Sequence, residues 1–348
     1  MTKVTIRHVA AEAGVAVKTV SRVVNGEPNV TQDLRDRVSR AVEKLGYVPS
    51  MAARRMGGSR SYMLVSLNDR SNTINNWQSG RGNDWIDQML HGAMLMCESH
   101  GYRMLFELVD AASEDLDRRV VAILSALQPD GLILTPPHSQ NEALVQMLLR
   151  RNVPVVRLGV AGNGLGIGVY MDDRAAAADA TRHLIDLGHR RIGFIAGSER
   201  FEATEARRHG YLDALNEAGL DRDLRLEAPG DFTFESGLSA ATTLLSQDRP
   251  PTAILASNDE MALAVLHAAP RFGRAVPDDL SVVSFDDTPG IRLSVPSLTS
   301  IRQPISEMAS RAAELLITVS REGRSESADH LLPFSLIVRG STARPRRP

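Results

Sequence analysis

The sequence predicts an α/β protein in which a small helical head precedes two Rossmann-like lobes. Three observations support this fold class. Apolar residues recur at helical spacing up to residue 46, short apolar strands alternate with amphipathic helices from residue 62 onward, and positive charge is concentrated near the amino terminus. A chain of 348 residues is long enough for two or three compact units, each with its own core.

The head is predicted from three apolar series between residues 5 and 46. The first begins at Ile6 and stops at Gly14, a residue suited to a tight turn, and a second series of valines follows at once. Thr31 can cap a third helix, which Gly46 ends. Two short helices joined by a glycine turn form the helix-turn-helix pattern.

The body is predicted from alternating strands and helices. We predict strands at residues 63–67, 104–108, 131–134, 154–158, 191–196, 252–256 and 280–285. Helices fill the gaps, for example at residues 86–100, 175–187, 205–218 and 258–272. Such alternation indicates parallel sheets with helices on both faces. Because seven or more units are many for one open sheet, we expect two lobes, with ligands bound in the cleft between them.

The composition is that of a globular chain. Hydrophobic residues make up 43%, charged residues 24% and aromatic residues 4%. Residues 1–13 lack the apolar core of a signal peptide, and the longest apolar runs are far short of the roughly 20 residues that a membrane span needs. The single cysteine, Cys97, cannot form an internal disulfide, which is typical of the cytoplasm. We therefore expect a cytoplasmic protein without a membrane partner.

Charge is divided unevenly along the chain. Residues 1–60 carry eleven Lys and Arg against five acids, a formal charge of +6, whereas the whole chain carries −2, so the remainder carries −8. A basic head on an acidic body is typical of a nucleic-acid-binding module attached to a different kind of domain. Since a basic stretch alone more often forms a solvated surface, this interpretation depends on motifs.

Motifs along nearly the whole chain resemble the lactose-repressor (LacI) family of bacterial transcription regulators. In the head they are TIRHVA, AGV, TVSRVVN and KLGYVP, which begin at residues 5, 13, 19 and 44. In the body they are HLI, LGHRRI, NDEMA, VPDDLSVVSFDD and PSLTSIRQP, which begin at residues 183, 187, 258, 276 and 296. Their order and spacing together carry the resemblance.

The resemblance implies a domain organisation. We expect a helix-turn-helix DNA-binding domain at 1–49, a hinge helix and linker at 50–61, and a periplasmic-binding-protein-like (type I) ligand-binding and dimerisation core at 62–341, with a tail at 342–348. Within the core, lobe 1 is expected at about 62–163 and 294–322, and lobe 2 at about 164–293 and 323–341. The tail lacks leucine heptads, so the helical tetramerisation tail of some relatives is not expected.

The second helix of the head should read base edges in the major groove of double-stranded operator DNA. Its expected exposed face carries Val17, Lys18 and Arg22. Arg22 can form a bidentate pair with guanine, Lys18 is a more flexible donor, and Val17 can touch a thymine methyl group. Further DNA contacts, mainly to phosphates, are expected from Thr5, Thr19, Ser21 and Asn25.

By resemblance, residues 50–56 form a hinge helix on the operator, which pairs with its twin across the dimer axis. Met56 occupies the position of the side chain that wedges into the minor groove, where this family usually has leucine. Ala53 permits close helix approach, and Arg54 is available to phosphates. At Ala16 the chain also departs from the family, which often has a hydroxyl residue there.

Five residues are expected to bind ligand. By resemblance, Arg207 is the strongest candidate, as a fork of donors for hydroxyls or a carboxylate. Asp286 and Asn258 lie just beyond predicted strand ends, where ligand contacts are expected in open α/β sheets. Trp85 and Phe232 offer flat apolar faces for stacking.

Two departures from sugar-binding relatives affect the ligand site. Gly159 stands where such relatives often have aspartate, so one hydroxyl partner is missing. The stretch 68–84 is longer than its counterpart, and its asparagines with Arg70 and Arg81 either line the cleft or form a solvated loop. The sequence leaves these two alternatives open.

The function predicted from these features is a homodimeric transcription regulator, a repressor, controlled by a small sugar-like effector. Dimerisation is expected because a twofold protein matches a palindromic operator. An alternative is the same regulator controlled by a protein partner, and more distant alternatives are a sugar-binding protein or an enzyme. Whether the ligand induces or co-represses is not written in the residues.

No cofactor or metal is expected. The glycine run at 162–168 fits neither dinucleotide-binding nor P-loop spacing, and we predict that it forms a loop crossing between the lobes. The nine histidines show no metal-ligand spacing, and no serine elbow or Cys/His pair occurs. These features argue against an enzyme.

Overall fold

The computed structural model describes residues 4–24, 29–47, 60–80, 82–323 and 328–346. Two compact units can be distinguished, divided at residue 63, with the short segment 123–130 grouped with the first unit. The first unit contains the helical head, and the second contains both sheets.

The described strands, numbered in chain order, are β1 Met63–Asp69, β2 Arg103–Val109, β3 Gly131–Leu134, β4 Val155–Leu158, β5 Ile167–Tyr170, β6 Ile192–Ile195, β7 Glu227–Ala228, β8 Ala253–Ala256, β9 Ser281–Asp286, β10 Thr299–Arg302, β11 His330–Leu331 and β12 Ser335–Ile337. The described α-helices are α1 Ile6–Ala13, α2 Val17–Val24, α3 Gln32–Leu45, α4 Arg70–Gln78, α5 Asp84–Ser99, α6 Leu116–Leu127, α7 Glu142–Arg150, α8 Asp173–Asp186, α9 Glu202–Glu217, α10 Phe234–Leu245, α11 Asp259–Ala268, α12 Pro289–Arg292 and α13 Ile305–Glu322. The seven predicted strands are confirmed, each within two residues.

The head contains the three predicted helices, α1 to α3. Gly14 follows α1 with φ 62°, the left-handed conformation that glycine adopts without steric penalty. Val9, Val20 and Val38, one from each helix, are fully buried and form the centre of the head's core. The Arg37 guanidinium donates to the carbonyl of Ala13 at 2.8 Å, so a basic side chain caps the carboxyl end of α1.

Two six-stranded sheets form the second unit. The first has the strand order β11-β5-β4-β3-β1-β2, and the second has the order β12-β10-β9-β8-β6-β7. Pairing is parallel from β11 to β1 in the first sheet and from β10 to β7 in the second, while β12 pairs antiparallel with β10. The central strands are buried along their whole length, as expected for parallel strands covered on both faces.

The two sheets exchange the chain several residues later than the approximate lobe divisions at 163/164, 293/294 and 322/323 predicted. Strand β5 pairs with β4 in the first sheet, so the chain first crosses after Tyr170. Strand β10 pairs with β9 in the second sheet, and α13 then packs on β3, β4 and β5 of the first. Strand β11 pairs with β5 before β12 pairs with β10. Each predicted division missed a strand because short strands are recognised only through their partners.

The glycine run at 162–168 does not cross between lobes as predicted, because it joins β4 to β5 within the first sheet. Its backbone closes on itself, since a Cβ atom at Gly168 would lie 2.4 Å from the nitrogen of Gly162. The Asp329 carboxylate accepts hydrogen bonds at 2.9 Å from the backbone nitrogens of both glycines. Glycine is required here because this backbone approach leaves no space for side chains.

The predicted tail at 342–348 is held against the second sheet over its described part. Just before the tail, Ser341 is fully buried, and its hydroxyl donates to the carbonyl of Val282 at 2.6 Å while accepting from the nitrogen of Thr299 at 2.8 Å. Farther along, Arg346 forms ion pairs with Asp278 at 3.0 Å and with Asp279 at 2.9 Å. The segment therefore belongs to the fold of the second sheet.

Close packing of α8 against α9 generates a stability prediction. A Cβ atom at Gly210 would lie 2.0 Å from the carbonyl oxygen of Arg174, so Gly210→Ala must push the two helices apart. We expect this variant to lose about 1–3 kcal/mol of unfolding free energy in chemical denaturation. Gly290→Ala is the matched control, because nothing lies within 4 Å of its added Cβ. Equal stabilities of the two variants would contradict the close approach.

Candidate functional site

A cleft of about 630 Å³ lies at the carboxyl ends of both sheets. The first sheet contributes Asp69 at the end of β1 and Thr135 just after β3. The second contributes Asn258 after β8 and Asp286 at the end of β9. Parallel strands direct the loops that follow them to one edge, so residues distant in the sequence meet here. All five predicted ligand residues line this cleft.

Arg207 is anchored within the second lobe. Its side chain is only 4% exposed, and its Nε donates to Asp173 Oδ1 at 2.8 Å. Its Nη1 donates to the carbonyl of Ser257, and its guanidinium carbon lies 4.3 Å from the ring centre of Phe285. Burial raises the pKa of the Asp173 carboxyl, while the charge and hydrogen bond of Arg207 oppose that rise. Arg207 thus neutralises a buried acid as well as lining the cleft.

Two further carboxyls lie close together beneath the cleft surface. Asp286 accepts a hydrogen bond from the side-chain amide of Gln303. Asp259 accepts from the nitrogen of Thr288 at 2.7 Å and from the hydroxyl of Ser300 at 3.2 Å. Burial raises the pKa of both carboxyls, and the charge of Asp259 raises the pKa of Asp286 further. Protonation of Asp286 therefore stabilises the folded state.

Phe232 is held over the cleft by its neighbours. Its backbone has φ 71°, and its ring forms an edge contact with Phe201 at a centre distance of 5.6 Å. Its ring also covers Gly197, where a Cβ atom would lie 2.0 Å from the ring. Asn258 donates from its side-chain nitrogen to the carbonyl of Phe232 at 2.8 Å, while its side-chain oxygen caps α11. Asn258 therefore positions Phe232, a structural role that its place after a strand did not reveal.

Of the two alternatives for the stretch at 68–84, the structure supports the one in which its asparagines line the cleft. Asp69 caps α4 by accepting from the nitrogen of Asn72 at 2.8 Å. Asn72, Asn76 and Asn83 all line the cleft, and Asn76 donates to the side-chain oxygen of Asn83 at 3.0 Å. Trp85 follows on α5. The stretch therefore forms a helical wall of polar side chains, although Arg81 lies outside the described residues.

One ion pair joins the two lobes across the cleft. Arg200, in the loop after β6, lies 3.1 Å from Asp69 Oδ2 at the end of β1. Asp69 is 4% exposed, whereas the side chain of Arg200 is 46% exposed. The sequence reasoning missed Asp69, Asp173, Phe201 and Gln303, although each lies within six residues of a strand end.

The head presents the expected polar surface. Val17, Lys18, Ser21 and Arg22 fall on one face of α2 by helical spacing, and Val20 on the opposite face is buried. Lys18 is exposed, as is Thr5 at the start of α1, while Thr19, Ser21 and Arg22 are half-buried. The predicted contacts at Asn25, Ala53, Arg54 and Met56 lie outside the described residues.

Comparison with known proteins identifies both parts of the chain. Residues 5–50 match the family described as bacterial regulatory proteins, lacI family, and residues 181–342 match the periplasmic binding protein-like domain. Catabolite control protein A of Priestia megaterium is 33% identical over 97% of this chain and 99% of its own length. The chain belongs to the LacI family of bacterial regulatory proteins. The resemblance inferred from the motifs is confirmed.

Solved structures of LacI-family regulators share the fold over the whole length. The complex of the regulator CelR with cellobiose matches with TM-score 0.71 and 32% identity, covering 97% of this chain and all of that one. The lac repressor dimer bound to operator and the anti-inducer ONPF matches with TM-score 0.78 and 26% identity, covering 98% of this chain and all of that one. This LacI-family protein is a DNA-binding transcription regulator. Within the described ranges, no helix is both long and apolar enough to cross a bilayer.

The buried carboxyl of Asp286 generates a pH prediction. Because its pKa is raised by folding, the folded state binds more protons than the unfolded state, and stability falls as the pH rises above the ordinary value of 3.8. Asp286→Asn cannot titrate, so its stability relative to the native protein should improve by about 1–3 kcal/mol between about pH 5 and pH 8. Denaturant melts at both pH values measure this change.

The exposed Asp117→Asn variant controls for the loss of one carboxyl from the protein. A stability difference between native protein and Asp286→Asn that does not change with pH would contradict the raised pKa.

Proposed function

We propose that this LacI-family regulator is a repressor that binds a palindromic operator as a homodimer, and that a small sugar-like ligand in the cleft weakens its hold on DNA. The observation that carries the proposal is the convergence of polar and aromatic residues from both sheets on one cleft, in a chain that begins with a helix-turn-helix head. A cavity of about 630 Å³ is within the usual size range of small-molecule sites.

In this proposal the head at 1–49 reads DNA, the segment 50–61 acts as the hinge, and the core at 62–341 binds ligand and forms the dimer. Lys18 and Arg22 face base edges, and Val17 touches a thymine methyl group. Thr5, Thr19, Ser21 and Asn25, with Ala53 and Arg54, support contact with the backbone, and Met56 wedges into the minor groove. The regulator works in the cytoplasm, where it binds its ligand without transforming it.

The cleft residues have different roles in ligand recognition. Trp85 and Phe232 stack on the apolar faces of sugar rings from opposite lobes, and Asp286 accepts from hydroxyls. Arg207 and Asn258 hold the neighbouring groups in place and complete the wall. The similar CelR structure contains cellobiose in a protein of the same fold, which supports a sugar as the ligand.

Control of DNA binding follows from a two-state equilibrium of the lobes. A ligand that touches both lobes favours one relative orientation, and its contacts are the source of the free energy that shifts the equilibrium. A coupling of about 1–3 kcal/mol changes DNA affinity by about 5- to 150-fold. Footprinting on genomic DNA with and without sugars identifies the operator and the sign of the coupling in one experiment.

Base reading by Arg22 is tested by Arg22→Ala. Loss of a bidentate contact should lower the ratio of specific to nonspecific affinity by about 5- to 150-fold, corresponding to about 1–3 kcal/mol. Binding to operator and to random duplex is measured at the same salt concentration, because both affinities depend on it. Arg40→Ala removes the same charge from the exposed surface of α3 and should weaken both affinities alike. A uniform loss with Arg22→Ala would contradict base reading.

Ligand stacking is tested with the two tryptophans of the chain. Trp85 lines the cleft, whereas Trp77 is 49% exposed and packs near Phe106. In calorimetric titrations with neutral mono- and disaccharides, cellobiose included, Trp85→Ala should weaken binding by about 2- to 10-fold. Trp77→Ala should leave it unchanged. If no sugar binds the native protein, the ligand proposal fails in favour of control by a protein partner.

A further inference from the structure

Several hydrogen-bond donors of the cleft are bonded within the protein. Asn76 donates to Asn83, and Asn258 donates to the carbonyl of Phe232. Gln303 donates to Asp286. Further donors are engaged in the same way: Thr135 with the carbonyl of Leu67, Thr233 with Asp231, and Arg207 with Asp173 and Ser257. These donors are therefore already engaged when a ligand enters the cleft.

Acceptors, in contrast, are abundant. Carboxylates from both lobes line the cleft, among them Asp69, Asp84, Glu202, Asp231, Glu235 and Glu260. A carboxylate has about four acceptor positions, so up to three hydrogen bonds from the protein leave capacity for a ligand. The side-chain oxygen of Gln140, another cleft residue, is buried and accepts no hydrogen bond from the described residues. Such a buried acceptor favours a ligand that brings a donor to it.

The charge of the cleft points the same way. Among the described residues that line it, Arg207 is the one Lys or Arg, and its charge is balanced by buried Asp173. Burial and the nearby Asp87 carboxylate raise the pKa of Asp84, as expected where negative groups gather with little compensating charge. An anionic ligand would leave acceptors in the cleft without donors, and its charge would be repelled by the carboxylates. Both effects make its binding less favourable.

We propose that the cleft selects effectors rich in hydrogen-bond donors, either uncharged polyols or their amine-bearing derivatives, and excludes phosphorylated and carboxylated sugars. This inference rests on the proposed function, because it concerns the ligand of the same cleft. Selectivity arises from the excess of hydrogen-bond acceptors and negative charge among the lining residues, rather than from a single residue. The hydroxyls and ammonium groups of the effector donate hydrogen bonds to the carboxylates and to Gln140. Phosphate or carboxylate groups find no unneutralised cation among the described lining residues.

The test uses the full chain and matched sets of sugars that differ in one substituent. Glucose, glucosamine and glucose 6-phosphate form one set, and cellobiose with its amino and aldonic acid derivatives forms another. Thermal shift and calorimetry are expected to show binding by the neutral or amine member of a set, with the acidic member weaker by about tenfold or more. An acidic member that binds as well as its neutral parent would overturn the inference and leave the proposed function standing.

A change of charge in the wall provides the second measurement. Asn72→Lys places a cation on the cleft side of α4 and should narrow the gap between acidic and neutral members of a set. Asn75→Lys adds the same charge to an exposed position of the same helix that does not line the cleft, and should leave the gap unchanged. Equal effects of both variants would overturn the inference. Binding of no sugar in any set would contradict the proposed function, and this inference with it.

Discussion

The parallel direction of the strands is the constraint on which the cleft depends. In both sheets the loops that follow β-strands come to the same edge, so acids, amides and aromatic rings from segments more than a hundred residues apart share one cavity. The chain passes between the sheets three times, after β5, after β10 and after β11. The first two crossings carry cleft residues, Met171 and Asp173 after β5 and Gln303 after β10, so a rotation of one lobe against the other moves the border of the cleft.

Local patterns in the sequence were sufficient for most of the fold, and the failures have a common cause. Long strands such as β1 and β9 are mostly apolar at their centres, with the sequences MLVSL and VVSF, and periodicity recognises them. Strand β5 shares Ile167 and Gly168 with the glycine run, and β11 has only two residues, so each is defined by its pairing with a neighbouring strand. The lobe divisions depended on these short strands, because the sheet in which a strand pairs decides its lobe. The periodicity of the sequence does not show which strands pair.

For the site residues too, the sequence predicted the location of a side chain but not its hydrogen-bond partners. The rule that ligand contacts follow strand ends located Asp286 and Asn258 correctly in the cleft. It did not reveal that Asn258 holds Phe232 and caps α11, or that Arg207 compensates Asp173. Hydrogen-bond partners are set by tertiary contacts. For this reason the family resemblance suggested that Arg207 was a recognition group, whereas its geometry makes it first a counter-ion for a buried acid.

The magnitudes suggest how a small ligand can control such a fold. The pair of Asp69 and Arg200 spans the lobes, but the half-exposed guanidinium is screened by solvent, so the pair contributes about 0–1 kcal/mol at most. The contribution of this pair is no larger than the free energy of about 1–3 kcal/mol that typically couples ligand binding to DNA binding. This ion pair alone therefore does not fix the relative orientation of the lobes, and a few hydrogen bonds from a ligand that reaches both walls would outweigh it. A rigid, strongly paired cleft would bind ligand without responding to it.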